Sequence, residues 1–279
     1  MEFWKLQGSG NDFVVIDDRD GKVEEFLKKL NLSKSEFVKK VCAFHTGVGA
    51  NGLILIKYPE NPENDFKWEF FNSDGSEAEM CGNGSRCAVR FAYEKGIAGR
   101  EVKFETLAGV IRAKVLENGK KVKVQLTPPT QPIEKLLRVD DREIKGVFIN
   151  TGVPHFVVPV EELENLNVIK LGRAIRFHEE FQPKGTNVNF IEPISDNAIR
   201  IRTYERGVEN ETLACGTGAT ASAIVAYLKG LITGKPVKVI TKSGEELLID
   251  FSDDLKEVFL TGSVYKVFEG VLSEEMFQY

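Results

Sequence analysis

The sequence predicts two α/β or α+β domains related by a pseudo-twofold, and three observations carry that prediction. Cys81-Gly82-Asn83-Gly84 opens a segment that returns 134 positions later as Cys215-Gly216-Thr217-Gly218, and Ala92-Tyr93-Glu94-Lys95-Gly96-Ile97 is answered by Ala226-Tyr227-Leu228-Lys229-Gly230-Leu231 at the same offset. Past these segments Val102-Lys103 matches Val237-Lys238, Gly109 matches Gly244 and Leu126-Thr127 matches Leu260-Thr261, so one fold unit occurs twice. Within each copy, helical periodicity gives way to short β-branched runs.

Taken in order, Phe13-Val14-Val15 is a strand-like run echoed by Phe156-Val157-Val158, and Phe71-Asn72 is echoed by Tyr204-Glu205. Between them, Phe37, Val41 and Phe44 recur at helical spacing, predicting a helix over Ser35 to Phe44. Each Cys-Gly-x-Gly turn then enters a helix. The first packs Ala88, Phe91 and Ala92 on one face, and the second packs Ile224, Tyr227, Leu228 and Leu231. Gly96 and Gly230 are the expected C-terminal stops. The runs 101–106, 122–127, 237–241, 247–251 and 258–261 read as strands. The densest proline cluster, Thr127-Pro128-Pro129-Thr130-Gln131-Pro132, marks a linker. It divides the chain into a half-repeat over residues 1–127 carrying Cys81 and one over 128–261 carrying Cys215. Residues 262–279 are expected to join the first.

Composition narrows the function. With 42% hydrophobic residues and a net charge of only −5, the chain can bury enough apolar surface to order itself, which excludes a disordered protein. No apolar stretch nears the length of a membrane span, and the longest candidate, Ala219 to Leu228, contains Thr220 and Ser222. A pI near 5.5 without long Lys/Arg runs argues against a nucleic-acid partner. The N-terminus lacks the charged and apolar regions of a secretory signal, so a cytoplasmic protein acting on a small molecule is expected.

Four cysteines in a long chain without a signal do not read as a disulfide framework. Cys81 and Cys87 are six apart, and only Cys42 and His45 have ligand-like spacing, so no metal is expected. Cys42 and Cys87 read as small buried hydrophobes. Cys81 and Cys215 differ, because a thiol just before a Gly-rich helix start meets unpaired N–H groups and the positive end of the helix dipole. That setting favours the thiolate, and the same amides can hold a carboxylate. Two such thiols, placed equivalently in two halves, suit the removal of an α-proton from one face of a carbon and its delivery to the other. The pattern predicts a racemase or epimerase that needs no cofactor.

At these residues the sequence resembles the diaminopimelate epimerase family, over essentially the whole chain. The resemblance rests on Gly8-Ser9-Gly10-Asn11-Asp12-Phe13, Gly47-Val48-Gly49-Ala50-Asn51-Gly52, Phe71-Asn72-Ser73-Asp74-Gly75-Ser76, Cys81-Gly82-Asn83-Gly84, Pro154-His155, Tyr204-Glu205-Arg206-Gly207 and Ala214-Cys215-Gly216-Thr217-Gly218. It implies an α+β fold of two pseudo-symmetric domains, each a strongly curved, mostly antiparallel sheet around a central helix. It further implies interconversion of LL- and meso-diaminopimelate, a precursor of lysine and peptidoglycan. Cys215 would take the α-proton of the LL isomer and Cys81 would protonate the opposite face. His155 and Glu205 would influence the protonation of the cysteines. Asn11, Asn72, Asn187, Glu205 and Arg206 would bind substrate, with Arg206 on the distal carboxylate. The amides of Gly82, Asn83, Gly216 and Thr217 would hold the α-carboxylate. Asn51, Gly52 and Val153 depart from a common form of the family.

Other readings stay open at this point. Proline racemase-like chains carry Cys-Gly-His where this chain has Cys81-Gly82-Asn83, and the phenazine-biosynthesis type lacks the cysteine pair. A non-catalytic amino-acid-binding protein could use the same residues. A thiol redox protein would use one peroxidatic Cys or a C-x-x-C pair, and neither pattern is read here. Taken alone, Asn11 could be a turn residue in left-handed backbone, and Glu205 with Arg206 a surface ion pair. A homodimer is expected, since twofold assemblies are the commonest and Val264 to Phe268 is an apolar, β-rich segment.

Overall fold

A computed structural model of the chain describes residues 1–278. It separates into two compact units, one of Met1–Val124 together with the stretch from Gly262 onward, the other of Gln125–Thr261. The first stretch forms β1 (Glu2–Gly8), β2 (Asn11–Asp17), α1 (Lys22–Leu30), α2 (Lys34–Cys42), β3 (Gly52–Lys57), β4 (Phe66–Asn72), α3 (Gly82–Glu94), β5 (Glu101–Thr106), β6 (Gly109–Leu116) and β7 (Lys121–Leu126). The second unit holds β8 (Ile133–Val139), β9 (Arg142–Asn150), β10 (Pro154–Pro159), α4 (Val168–Arg176), β11 (Asn187–Ser195), β12 (Ala198–Glu205), β13 (Asn210–Thr212), α5 (Gly216–Leu228), β14 (Val237–Ile240), β15 (Glu246–Phe251) and all but the last two residues of β16 (Val258–Ser263). A last strand, β17 (Tyr265–Val271), pairs antiparallel with β1.

The two units share one pairing scheme. In the first, strands run in the order β17, β1, β2, β3, β4, β5, β6, β7, antiparallel except at β2/β3 and β4/β5. In the second the order is β8, β9, β10, β11, β12, β14, β15, β16, antiparallel except at β10/β11 and β12/β14, with β13 added on β12. The parallel neighbours are those joined through helices, as parallel pairing requires. The fold is therefore α+β and duplicated. β17, from the far end of the chain, holds in the first unit the place that β8 holds in the second.

Each sheet curls around one helix. α3 touches β1, β2, β3 and β6, and α5 touches β9, β10, β11, β12, β14 and β15. Nine consecutive residues of α5, Gly218 to Ala226, are buried, and so is α3 from Asn83 to Val89. A helix buried on every side needs small or apolar residues all round, and Gly216-Thr217-Gly218-Ala219-Thr220-Ala221-Ser222-Ala223 supplies them. The amphipathic stripe expected from Ile224, Tyr227, Leu228 and Leu231 is not what the structure has. Ile224 is buried, but Leu228 and Leu231 are 49% and 37% exposed, because the helix leaves the sheet's enclosure at its last turn.

Both helices end alike. Gly96 and Gly230 take left-handed backbone, with φ of 68° and 67°. Ile97 N–H reaches Ala92 O at 2.8 Å and Leu231 N–H reaches Ala226 O at 2.9 Å, closing the same Schellman motif twice.

The outer face of each sheet packs on the remaining helices. Val14, Ile16, Leu53 and Leu55 join Val23 and Leu27 of α1 and Phe37, Val38 and Val41 of α2 in one cluster. In the second unit Phe156, Val158, Val188, Phe190 and Tyr204 join Val168 and Ile175 of α4. Strand alternation then turns His155, Asn187 and Asn189 to the inner face, toward α5. Cys42 is buried in the α2 cluster, and burial pushes its thiol up to about 12. Cys87 is fully buried inside α3, with its thiol likewise pushed up by burial. Phe44, placed on the apolar face of the first helix by its spacing, lies past the end of α2 and is 67% exposed.

Candidate active site

Both cysteines of the repeated turns are helix N-caps. Cys81 has extended backbone, φ −149° and ψ 117°, and its Sγ accepts from Gly84 N–H at 3.4 Å. Cys215, with φ −131° and ψ 112°, accepts from Gly218 N–H at 3.4 Å. The first intrahelical bonds are Ser85 N–H to Cys81 O and Ala219 N–H to Cys215 O, both 2.8 Å. The N–H groups of Gly82 and Asn83, and of Gly216 and Thr217, therefore precede the helical ladder and point out of the first turn. Each thiol sits beside donors suited to a carboxylate, with the helix dipole favouring negative charge there.

In the second unit the surroundings of Cys215 are mostly polar and buried. Thr217 Oγ1 lies 3.4 Å from Cys215 Sγ and 3.0 Å from His155 Nε2, while Thr217 O accepts from Thr151 Oγ1 at 2.9 Å. His155 has no exposed surface, and burial, aided by the positive charge of Arg206, lowers its imidazole pKa to about 3. Its ring is therefore neutral near pH 7. Asn187 sits at the start of β11, where Nδ2 donates to Pro154 O at 2.9 Å and Oδ1 accepts from Arg206 N–H at 2.8 Å. That side chain ties the ends of β10 and β12 together and fixes where Arg206 begins. The Arg206 guanidinium donates to Lys184 O at 2.9 Å. Glu205 ends β12, and burial raises its carboxyl pKa against the opposing pull of Thr212.

In the first unit Asn11 opens β2 after a turn in which Ser9 and Gly10, not Asn11, hold the left-handed backbone, with φ of 58° and 77°. Asn72 ends β4, exposed, with Nδ2 donating to Ser76 Oγ at 3.1 Å. Asn83 is buried behind Cys81 with no hydrogen-bond partner for Oδ1. Asn51 and Asp12 exchange bonds, Asp12 N–H to Asn51 Oδ1 at 3.1 Å and Asn51 N–H to Asp12 Oδ1 at 2.9 Å, so Asn51 braces the Asn11 loop. At Gly52 a Cβ would meet Phe71 O at 2.6 Å, which accounts for glycine there in this chain. Val153 O accepts from Thr151 N–H at 3.2 Å.

The sequence reading missed Asn189, Thr203 and Arg86. Asn189 lies two residues beyond Asn187 in the same strand, and that alternation was the available signal. Thr203 is its register partner on β12. Arg86, fully buried one turn into α3, donates from Nη2 to Ser9 Oγ at 2.8 Å.

The sequence model of a family described as diaminopimelate epimerase matches residues 3–131 and 147–267. The chain belongs to the diaminopimelate epimerase family. A diaminopimelate epimerase of Aquifex aeolicus is 78% identical over 279 residues, all of both chains, and one of Hydrogenobaculum is 57% identical over 99% of this chain and all of that one. This chain is accordingly an isomerase. Among solved structures, a probable proline racemase from Agrobacterium radiobacter matches with a TM-score of 0.69 at 18% identity, covering 99% of this chain and 94% of that one. A phenazine biosynthesis protein of Bacillus anthracis matches with a TM-score of 0.69 at 17% identity, covering 98% and 99%. At such identities the likeness is one of fold. Among the described residues no helix is long and apolar enough to cross a membrane.

Two expectations follow from this geometry. A Cβ on Gly218 would meet Asn189 Oδ1 at 2.4 Å, whereas one on Gly84 would meet only ordinary contacts at 3.5 Å. Urea unfolding should therefore find Gly218→Ala destabilised by about 1–3 kcal/mol and Gly84→Ala neutral or stabilised by up to about 1 kcal/mol. For His155 the folded pKa of about 3 lies below the ordinary 6.5, so in that window the unfolded chain binds the extra proton. The stability this confers is complete above about pH 6.5 and is lost as pH falls toward 3, at up to about 1.4 kcal/mol per pH unit. His155→Gln should show a shallower loss between pH 6.5 and 4 in parallel unfolding titrations, and identical slopes would mean that His155 takes up its proton within the fold.

Proposed function

We propose that this isomerase interconverts LL- and meso-2,6-diaminopimelate by a two-base reaction without a cofactor. The observation that carries the reading is the duplicated helix start, in which Cys81 and Cys215 each cap a buried helix beside two outward amides. A carboxylate held by the amides of Gly82 and Asn83, or of Gly216 and Thr217, brings an α-carbon next to a thiol. In this reading Cys215, as thiolate, removes the α-proton of the LL isomer while the Cys81 thiol protonates the other face, and the roles exchange in reverse. The amides disperse the negative charge that develops on the α-carboxylate as the proton leaves.

Arg206 binds the distal carboxylate, and Asn11, Asn72 and Glu205 supply further polar contacts to the substrate. Asn187 contributes through the position it gives Arg206. His155, neutral and buried, and Glu205, with its raised pKa, shape the protonation of the thiols. The enzyme works in the cytoplasm on a precursor of lysine and peptidoglycan. It acts as a homodimer through β17, which ends the strand order of the first unit and exposes Tyr265, Val267, Phe268 and Val271.

The reaction is tested with a substrate analogue bearing a leaving group on its β-carbon, which eliminates after proton abstraction from one face alone. With enzyme dialysed against chelator and no cofactor added, Cys81→Ala and Cys215→Ala should each lose epimerisation by about 10²–10⁴-fold. Cys81→Ala should still eliminate from the L-configured analogue and Cys215→Ala from the D-configured one. Equal loss of all four elimination rates would refute opposed bases, and a requirement for added cofactor would refute the reading as a whole. Light scattering should give twice the chain mass, falling to the monomer in Val267→Lys/Phe268→Lys.

A further inference from the structure

A polar chain crosses the inner face of the second unit. Asn189 and Thr203 are register partners on β11 and β12, 0% and 3% exposed. Thr203 Oγ1 lies 2.9 Å from Asn189 Oδ1, and Asn189 Nδ2 lies 2.9 Å from His155 Nδ1. His155 Nε2 continues to Thr217 Oγ1 at 3.0 Å, and Thr217 Oγ1 to Cys215 Sγ at 3.4 Å. Away from water, each donor in such a chain must meet an acceptor, so the direction of one bond fixes the next.

The direction is set at Asn189. An amide NH₂ only donates, so His155 Nδ1 accepts, and the single hydrogen of the neutral ring is on Nε2. Nε2–H then donates to Thr217 Oγ1, whose own hydrogen is left to point at Cys215 Sγ. The amide is held this way round by α5. Asn189 Oδ1 lies 2.4 Å from the place a Gly218 Cβ would occupy, so it faces the first turn of the helix, whose partial positive charge favours the carbonyl oxygen over NH₂.

We propose that Asn189 is a positioning residue for Cys215, holding His155 as the neutral Nε2–H tautomer so that the Thr217 hydroxyl donates to the Cys215 thiolate. His155 is then a hydrogen-bond donor acting through Thr217, and it does not take the proton of Cys215. The burial and the Arg206 charge that keep its ring neutral support this assignment. When Sγ gains a proton from substrate, S–H can donate to Thr217 Oγ1 and the hydroxyl rotates, so both states of the thiol are accommodated without moving a proton along the chain. The inference rests on Cys215 being a reacting thiol, as proposed above.

Long-range ¹⁵N NMR of the full chain labelled in its histidines tests the tautomer directly at neutral pH, with the His155 signals assigned by their loss in His155→Gln. The wild type should show a protonated Nε2 and an unprotonated Nδ1, and Asn189→Asp, whose carboxylate only accepts, should move the hydrogen to Nδ1. In the same variant, iodoacetamide alkylation of Cys215 at fixed pH, followed by peptide mapping, should slow by about 10–100-fold, the range for loss of an orienting partner, while Cys81 is unaffected. Thr217→Val should slow Cys215 alike and Thr217→Ser should restore it. A wild-type His155 carrying its hydrogen on Nδ1 would overturn the proposal, even where Asn189→Asp fails to fold. So would a tautomer shift that leaves Cys215 alkylation unchanged. Neither readout needs turnover, so absence of epimerisation would count against the proposed function alone.

Discussion

A helix enclosed by its own sheet has little water along its length, and this constraint organises both halves of the molecule. A polar group buried on α3 or α5 costs free energy unless it finds a partner, and the side chains must be small enough for strands to approach from all sides. At the C-terminal ends, where both helices emerge from their sheets, a glycine-dependent Schellman turn closes the ladder. The N-terminal ends are closed differently: a cysteine caps the third amide, and the two amides before it are left for something else. These helix starts are half-exposed, so a ligand can reach the two amides, and the capping arrangement and the proposed carboxylate site are one feature.

The two halves share a scaffold and differ in what stands behind each thiol. Behind Cys215 is a neutral set, Thr217, His155, Asn189 and Thr203, linked in sequence. In the half that carries Cys81 the turn preceding β2 is held by charged groups, with the Arg86 guanidinium on Ser9 and Lys5 paired to Asp12 at 2.9 Å. Duplication thus fixed the backbone of the helix starts and left the side chains beneath them to diverge. In the proposed reaction the two thiols alternate between giving and taking a proton, and surroundings that differ would let each be tuned separately.

How much was legible follows from where each signal sits. The repeated Cys-Gly-x-Gly turns and the helix stops lie in contiguous segments, so the sequence shows them without reference to anything distant. Strand 101–106 was equally plain, because β-branched alternation between turn residues is a local pattern. The apolar stripe assigned to Leu228 and Leu231 failed, since periodicity assumes that a helix has one buried face and α5 has no exposed face until its last turn. Asn189 and Thr203 escaped notice because alternation places Asn189 on the same face as Asn187 but does not say what it meets there, and its partners, His155 and Thr203, come from two other strands.

The sequence by itself determined the duplication, the two capping cysteines and the family, since each is written in short motifs kept in order along the chain. It also determined that the second helix would be rich in small residues. Tertiary structure alone decided that β17, from the far end of the chain, completes the sheet begun by β1, taking the place β8 has in the second unit. It alone decided that His155 is neutral, because desolvation depends on what surrounds the ring from every strand and not on its neighbours in sequence. The requirement for glycine at position 218 belongs to the same class. Its reason is the Asn189 oxygen 2.4 Å from where a side chain would begin, a contact between residues 29 positions apart in the chain that exists only once the sheet has closed over the helix.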